Sequence, residues 1–364
     1  MELYNKLSRE EAIRRLNQEP FTRRTFSFYR YFRIPEPQEF RDALFIAWSE
    51  LNCFGRIYIA CEGINAQMSI PEHHLNTFLS GLNKFKGMEK MPVKFAVEDD
   101  GKSFYKLTIK VRPKIVADGL DENEYDVTNV GTHLSAFEFH QLAGNSDSVV
   151  IDMRNHYESE IGRFVNAYCP DVDTFREAII DVAGKLDNKD NRKILLYCTG
   201  GIRCEKASAY LKHRGFENVY QLHGGIIEYA RFIKRKKLPS KFIGKNFVFD
   251  NRLGEIIDGQ VISYCHQCGR HCDTHTNCAN DDCHLLFIQC DECKERYNGC
   301  CSKDCKKIIA LPKEDQKKYR QLRHQKYAES KIFKSRLRKD ISEKIRTEHY
   351  SGVMQMEMEE LRRI

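Results

Sequence analysis

The stretch from Ile194 to Cys204, Ile-Leu-Leu-Tyr-Cys-Thr-Gly-Gly-Ile-Arg-Cys, constrains the fold of this chain more than any other. Ile194 to Tyr197 form an apolar run of strand length, and Glu205 to Leu211 read as a helix. Between them Cys198 enters a loop of Thr199, Gly200, Gly201, Ile202 and Arg203, closed by Cys204. A strand that passes into a helix through two glycines can turn backbone N–H groups inward, next to the positive end of the helix, and so cradle an anion. With the Arg203 guanidinium nearby, Cys198 is expected to have a lowered pKa, to sit ionised at the mouth of a pocket and to act as a nucleophile. A cysteine that only packs as a small hydrophobe needs neither the glycines nor the arginine.

The pattern Cys198-x-x-Gly201-x-Arg203, then a helix, then Gly215 to Ile226, resembles the second half of a rhodanese domain. Val149 to Arg154, followed by Glu158, Gly162, Arg163, Asn166 and Ala167, resembles its first half. Four residues separate Cys198 from Arg203, one fewer than in the phosphatases related to rhodanese, which suits a sulfur-sized anion. Asp152 and Arg154 are expected to support the site, either as a structural pair at a strand end or in catalysis. Cys204 is either a resolving thiol for an intermediate on Cys198 or a small residue in the first helical turn.

A chain of 364 residues has room for two or three cores. The expected architecture is α/β, beginning with a ferredoxin-like, acylphosphatase-type unit over residues 1–117. Its elements are an aromatic strand from Thr25 to Phe32, a helix with Phe40, Leu44, Phe45 and Trp48 on one face, strands at 55–60 and 65–70, a helix at about 71–85, and strands near 93–97 and 104–111. The acidic, aperiodic stretch from Asp118 opens a linker over 118–132. A rhodanese-like, doubly wound parallel sheet over 133–238 carries the reactive loop at the carboxyl end of a strand. A small cysteine-rich, metal-binding segment (239–310) and a basic helical tail (311–364) complete the chain.

Ten of the fifteen cysteines lie between Cys265 and Cys305. Without an apolar export signal at the start, this clustering reads as metal ligation in a reducing compartment rather than as disulfides, and the protein is expected in the cytoplasm. No apolar run is long enough to span a bilayer. Cys265-x-x-Cys268 and Cys290-x-x-Cys293 are two knuckles suited to one tetrahedral Zn²⁺, although their separation slightly exceeds the usual ribbon spacing; Cys278, Cys283, Cys301 and Cys305 suit a second ion. The metal would hold folded a segment too short and polar to bury much core. Iron–sulfur ligation is the competing use of such a cluster. From Lys306 to Arg346 fifteen basic residues face five acidic ones, a pattern that fits a solvated helix or a phosphate-binding arm. In the first unit Arg23, Arg24, Tyr29, Arg30, Tyr31 and Arg33 interleave cations with aromatics, which suits either nucleic-acid contact or an ordinary strand core.

Three motifs together, Gly55-Arg56-Ile57-x-Ile59-Ala60-x-Glu62-Gly63-Ile64-Asn65-Ala66, Cys198 to Ala207 and the trailing cysteine cluster, resemble the bacterial tRNA uridine(34) hydroxylase family over about Glu10 to Arg338. That resemblance implies oxygen-dependent 5-hydroxylation of the wobble uridine of tRNA, molecular oxygen as co-substrate, the anticodon region of tRNA as partner, and Cys198 as the essential cysteine. A rhodanese loop alone implies something else: a persulfide carried on Cys198 by a sulfurtransferase. A non-catalytic RNA-binding adaptor is a third reading. No two-His-one-carboxylate set and no Gly-x-Gly-x-x-Gly after a strand can be recognised.

Overall fold

The computed structural model describes residues 7–120, 125–186, 192–283 and 285–317. Ser8 caps helix α1 (Arg9–Asn17) by accepting from the Glu11 N–H. There follow β1 (Arg23–Tyr31), α2 (Pro37–Glu50), β2 (Phe54–Ala60), β3 (Gly63–Pro71), α3 (Leu75–Leu82), β4 (Lys94–Phe95) and β5 (Leu107–Val111). Their sheet runs β4-β1-β3-β2-β5, which is the ferredoxin-like order with one strand added. The two closing strands go to opposite edges, and β5 lies parallel to β2.

Alternation along the strands sorts the two faces. Phe26, Phe28, Ile57, Ile59, Ala66 and Met68 pack on Leu44, Phe45 and Trp48 of α2 and on Phe78 and Leu82 of α3. Tyr29 and Tyr31 fall on the other face, which meets the second unit; the aromatics of β1 therefore divide between core and interface. The arginines of that stretch are used locally. Arg23 is buried against Glu19 (2.6 Å) and over the Phe54 ring, and Arg30 donates to the carbonyls of Gly87, Glu89 and Lys90.

The second unit comprises β6 (Thr132–Leu134), α4 (Ala136–Leu142), β7 (Ser148–Asp152), α5 (His156–Ile161), β8 (Gly162–Phe164), α6 (Phe175–Lys185), β9 (Lys193–Tyr197), α7 (Ile202–His213), β10 (Val219–Leu222) and α8 (Gly225–Lys236). Strands β6-β10-β9-β7 form a parallel sheet. Both faces are covered, and β9 shows why its sequence is continuously apolar. Ile194 and Leu196 pack with α6 and α7, while Leu195 and Tyr197 pack with α4 and α8. Capping boxes at Ser135/Glu138 and Thr174/Glu177 start α4 and α6.

The acidic stretch after residue 117 opens with an anchor. Asp118 is fully buried and pairs with Lys114 (2.7 Å) and with Lys206 of α7 (2.6 Å), which also holds Glu62 (2.8 Å). The charge thus ties the two units together rather than solvating a free connection.

Strands β11 (Phe242–Asn246) and β12 (Glu255–Ile256) extend from β8 in a separate antiparallel sheet. The cysteine-rich end contains β13 (His275–Asn277), β14 (Leu286–Ile288), α9 (Asp291–Tyr297) and α10 (Lys303–Ile309). Of the basic tail, residues 318–364 lie outside the described residues. Among the described residues no helix is long and apolar enough to cross a membrane.

Candidate active site

Strand β9 ends at Tyr197 and delivers Cys198 to the start of α7. The Gly201 N–H donates to Cys198 Sγ at 3.1 Å. Gly201 has φ +106° and a Cβ there would lie 2.7 Å from the Tyr29 hydroxyl, so glycine is required by backbone and by space. Gly200 has open space around its Cβ position and no positive φ, so only one of the two loop glycines is needed for the turn. A third glycine matters instead. Gly225, at φ +65°, brings the start of α8 so close that a Cβ would lie 2.5 Å from the Cys198 and Thr199 carbonyls. The Ile226 N–H then donates to the Cys198 carbonyl at 3.0 Å.

Burial alone would push the Cys198 thiol up, but it is outweighed. The Cys204 thiol donates to it, Arg203 is close, and the backbone N–H groups of Cys204 and Arg203 point at it; together they bring the pKa down to about 5. Cys204, fully buried in the first turn of α7, is pushed well above its ordinary value by burial and by the Cys198 charge. It is therefore a proton donor to the thiolate at neutral pH.

The Arg203 guanidinium itself is engaged elsewhere than on the sulfur. It grips Glu158 of α5 in a two-point pair (2.5 and 2.9 Å) and donates to Thr199 Oγ1 (3.2 Å). Glu158 is fully buried; the sequence marks it only as part of the stretch that resembles the first half of a rhodanese domain, with no role attached. Asp152 and Arg154 form a separate, buried pair (2.7 Å) whose partners are the Tyr197 hydroxyl (2.7 Å) and the Gly162 carbonyl (2.6 Å). Neither lines the cavity described next, and their contacts brace the ends of β7 and β9.

Cys198 is fully buried, not at a mouth open to water. The cover comes from the first unit, which spacing along the chain could not reveal. Tyr31 donates to the Ile202 carbonyl (3.3 Å), Tyr29 to Glu205 (3.1 Å), and Lys94 to the Gly200 carbonyl (2.7 Å) while lying 4.4 Å from the Tyr29 ring. Burial brings Lys94 down to about 8, against the pull of Cys198, Glu205 and Glu228. Between the sheet of the first unit and the loop lies a cavity of about 530 Å³. Cys198, Thr199, Gly200, Ile202 and Arg203 form one wall, Tyr29, Tyr58, Asn65 and Gln67 another, and Phe249 with Arg252 a third.

Among the described residues two groups of four cysteines can each hold a metal ion: Cys265, Cys268, Cys290 and Cys293, and Cys278, Cys283, Cys301 and Cys305. Cys268 and Cys290 have their sulfurs 3.7 Å apart, as do Cys283 and Cys301. A single tetrahedral ion with metal–sulfur bonds of about 2.3 Å has sulfur–sulfur edges of about 3.8 Å, so the donor sets fit one ion each. Gln267 and Gln289 join the two groups through a 2.8 Å side-chain hydrogen bond, and Gln267 also reaches the Cys300 and Cys301 carbonyls at 3.0 Å. Cys272 and Cys300 stand outside both groups.

An acylphosphatase-like unit laid over the reactive loop of a rhodanese-like unit, with a cysteine-rich end, defines the class. Three family matches follow the same division: the UPF0176 acylphosphatase-like domain at residues 23–115, the rhodanese-like domain at 135–231 and the rhodanase C-terminal family at 243–306. The chain is 54% identical over 342 residues to the tRNA uridine(34) hydroxylase of Leptospira interrogans, covering 94% of this chain and 92% of that protein. It is 51% identical to the proteins of that name from Pectobacterium atrosepticum and Salmonella newport, over 87% and 85% of this chain and 90% and 89% of theirs. The chain belongs to the tRNA uridine(34) hydroxylase family.

Proposed function

We propose that this protein hydroxylates C5 of uridine 34 in tRNA, with molecular oxygen as co-substrate and Cys198 as nucleophile. The observation that carries the reading is a stabilised thiolate in the wall of a cavity of nucleoside size, in a chain sharing half its residues with proteins named for this reaction. A cradle meant only for a sulfur atom has no use for so large a space.

Uracil is electrophilic at C6. Addition of the Cys198 thiolate there places the displaced electron pair on C5 and O4, and C5 then takes one oxygen atom of O₂. The other atom leaves as water, using two protons and two electrons from an external reductant. Loss of the C5 proton and expulsion of the thiolate from C6 restore the ring. Gly201 N–H, Arg203 and the Cys204 thiol keep the sulfur ionised before addition and after release. Lys94, poised near neutrality at the same wall, is placed to move a proton at O4.

Each four-cysteine group holds one Zn²⁺, which supplies folding free energy to the C-terminal segment and takes no part in the reaction. The protein acts on the anticodon region of tRNA, in the cytoplasm. Digesting tRNA to nucleosides, from cells with and without the protein, tests the function. Loss of 5-hydroxyuridine derivatives is expected, and an unchanged level contradicts it.

A further inference from the structure

The sheet register shows how the cavity wall contributed by the first unit is built. In β1, β3 and β2, Tyr29 pairs with Asn65 and Asn65 with Tyr58; one step along, Ser27 pairs with Gln67 and Gln67 with Arg56. All six line the cavity. The sheet therefore presents a row in which a carboxamide stands between two phenol rings, next to a row in which a second carboxamide stands beside a cation. Neighbouring strands are about 4.8 Å apart, so a three-strand row spans about 10 Å, room for one base and its sugar.

A face meant only to pack on another domain gains most from aliphatic side chains, whereas here Tyr58, Asn65 and Gln67 are half-buried and turn polar atoms to the cavity. Asn65 uses Nδ2 on the Ile115 carbonyl at 3.4 Å, and its Oδ1 has no donor among the described residues. Gln67 has no side-chain hydrogen bond there either. Tyr29, at one end of the row, touches the loop through Glu205 and stands over Gly201, so a ring lying along the row reaches the wall that holds Cys198. Arg56, exposed at the other row, supplies a cation where a phosphate would continue.

We infer that the row Tyr29, Asn65 and Tyr58 is a nucleobase site, which takes one flipped-out pyrimidine, stacks it on Tyr58 and accepts its N3–H with Asn65 Oδ1. The inference rests on the reading above that the substrate is a tRNA uridine, and it adds how that base is told from cytosine. Uracil offers a donor at N3, whereas cytosine offers an acceptor and leaves Asn65 Oδ1 facing another lone pair. Base flipping into such a pocket is how enzymes reach a ring atom that stacking would shield.

The experiment measures binding, apart from catalysis. Anticodon stem-loop RNAs with uridine or cytidine at position 34 are titrated against the full-length Cys198→Ser chain. The uridine loop is expected to bind about tenfold or more tightly. Adding Asn65→Leu should erase that preference, weakening the uridine loop by loss of its N3–H partner and relieving the lone-pair opposition to the cytidine loop. Adding Tyr58→Leu instead should weaken both loops by about tenfold, as loss of a stacking partner does. A thermal melt matching the parent confirms that each variant is folded, and if Asn65→Leu fails that check, Asn65→Ser replaces it. A preference that survives the Asn65 change overturns the nucleobase site and leaves the hydroxylase reading intact. Failure of both loops to bind, together with absence of 5-hydroxyuridine formation by the wild-type chain, overturns the hydroxylase reading and this site with it.

Discussion

Cys198 and the eight cysteines of the C-terminal groups are the same side chain in opposite surroundings. Around Cys198 the neighbours are donors: a backbone N–H at 3.1 Å, two further amides, a thiol and a guanidinium held by Glu158. One negative charge is enough to satisfy them, and the sulfur stays free to react. In the C-terminal groups the neighbours of each sulfur are three more sulfurs within 4.8 Å. Four thiolates that close repel unless a cation sits among them, so these sulfurs are arranged to hold an ion rather than to react. Reactivity in this chain thus depends on what surrounds a cysteine, and burial alone does not decide it: Cys198 and Cys301 are both buried.

The comparison breaks most visibly at the nucleophile. Cys198→Ser is expected to lower hydroxylation on the order of 10³-fold or more, since a hydroxyl is a far weaker nucleophile at neutral pH. The same change at Cys290 should leave the chemistry of the loop intact while removing one metal ion per chain. Its readouts are metal content and new proteolytic cuts within 263–305, because the lost ion carries folding free energy on the order of 10 kcal/mol. A Cys290→Ser protein with a full metal complement would contradict the assignment of that group.

Lys206→Met tests whether the cover over the loop depends on the buried triad. It leaves Asp118 and Glu62 without their shared cation, at a cost of about 3–5 kcal/mol, read as a fall in unfolding midpoint. Greater access of alkylating reagents to Cys198 should accompany it.

The pH dependence sharpens the contrast between the two kinds of sulfur. A thiol lowered to about 5 is ionised above that pH and loses its charge as pH falls through it. Alkylation of Cys198 by iodoacetamide should therefore be flat from about pH 6.5 to 8 and fall about tenfold by pH 4. An unperturbed thiol would still be gaining rate at pH 8. The metal-bound cysteines should resist the reagent until the ion is chelated away. The smallest change is Arg203→Lys, which keeps the charge but loses the two-point grip on Glu158. It should move the midpoint of that alkylation curve upward.

The reactive loop was legible because its chemistry is local: strand, cysteine, glycine, arginine and helix occupy a dozen consecutive positions. The ferredoxin-like order and the parallel sheet were legible from periodicity for the same reason, and the two Cys-x-x-Cys knuckles from their spacing. What sequence could not convey is what crosses between elements. Glu158 reaches Arg203 over 45 residues, and Lys94 reaches Gly200 over 106. Nothing local in β1 says that Tyr29 caps the loop while Phe28 fills a core, because alternation fixes opposite faces without saying what each one meets. The same gap placed Cys198 at an open mouth, when a second domain closes over it, and made Asp118 part of a linker, when Lys206 neutralises it in the interior. Glu62 and Lys206 both stand inside the motifs that carried the family resemblance, and the contact between them explains why both motifs belong to one machine.

The most direct test is the 5-hydroxyuridine content of tRNA incubated with oxygen, a reductant and either the wild-type chain or Cys198→Ser, each at a concentration that saturates tRNA binding. The wild-type chain should form the modified nucleoside at position 34, and the variant should bind the same tRNA equally well and form none. Undiminished hydroxylation by the variant would contradict Cys198 as the nucleophile.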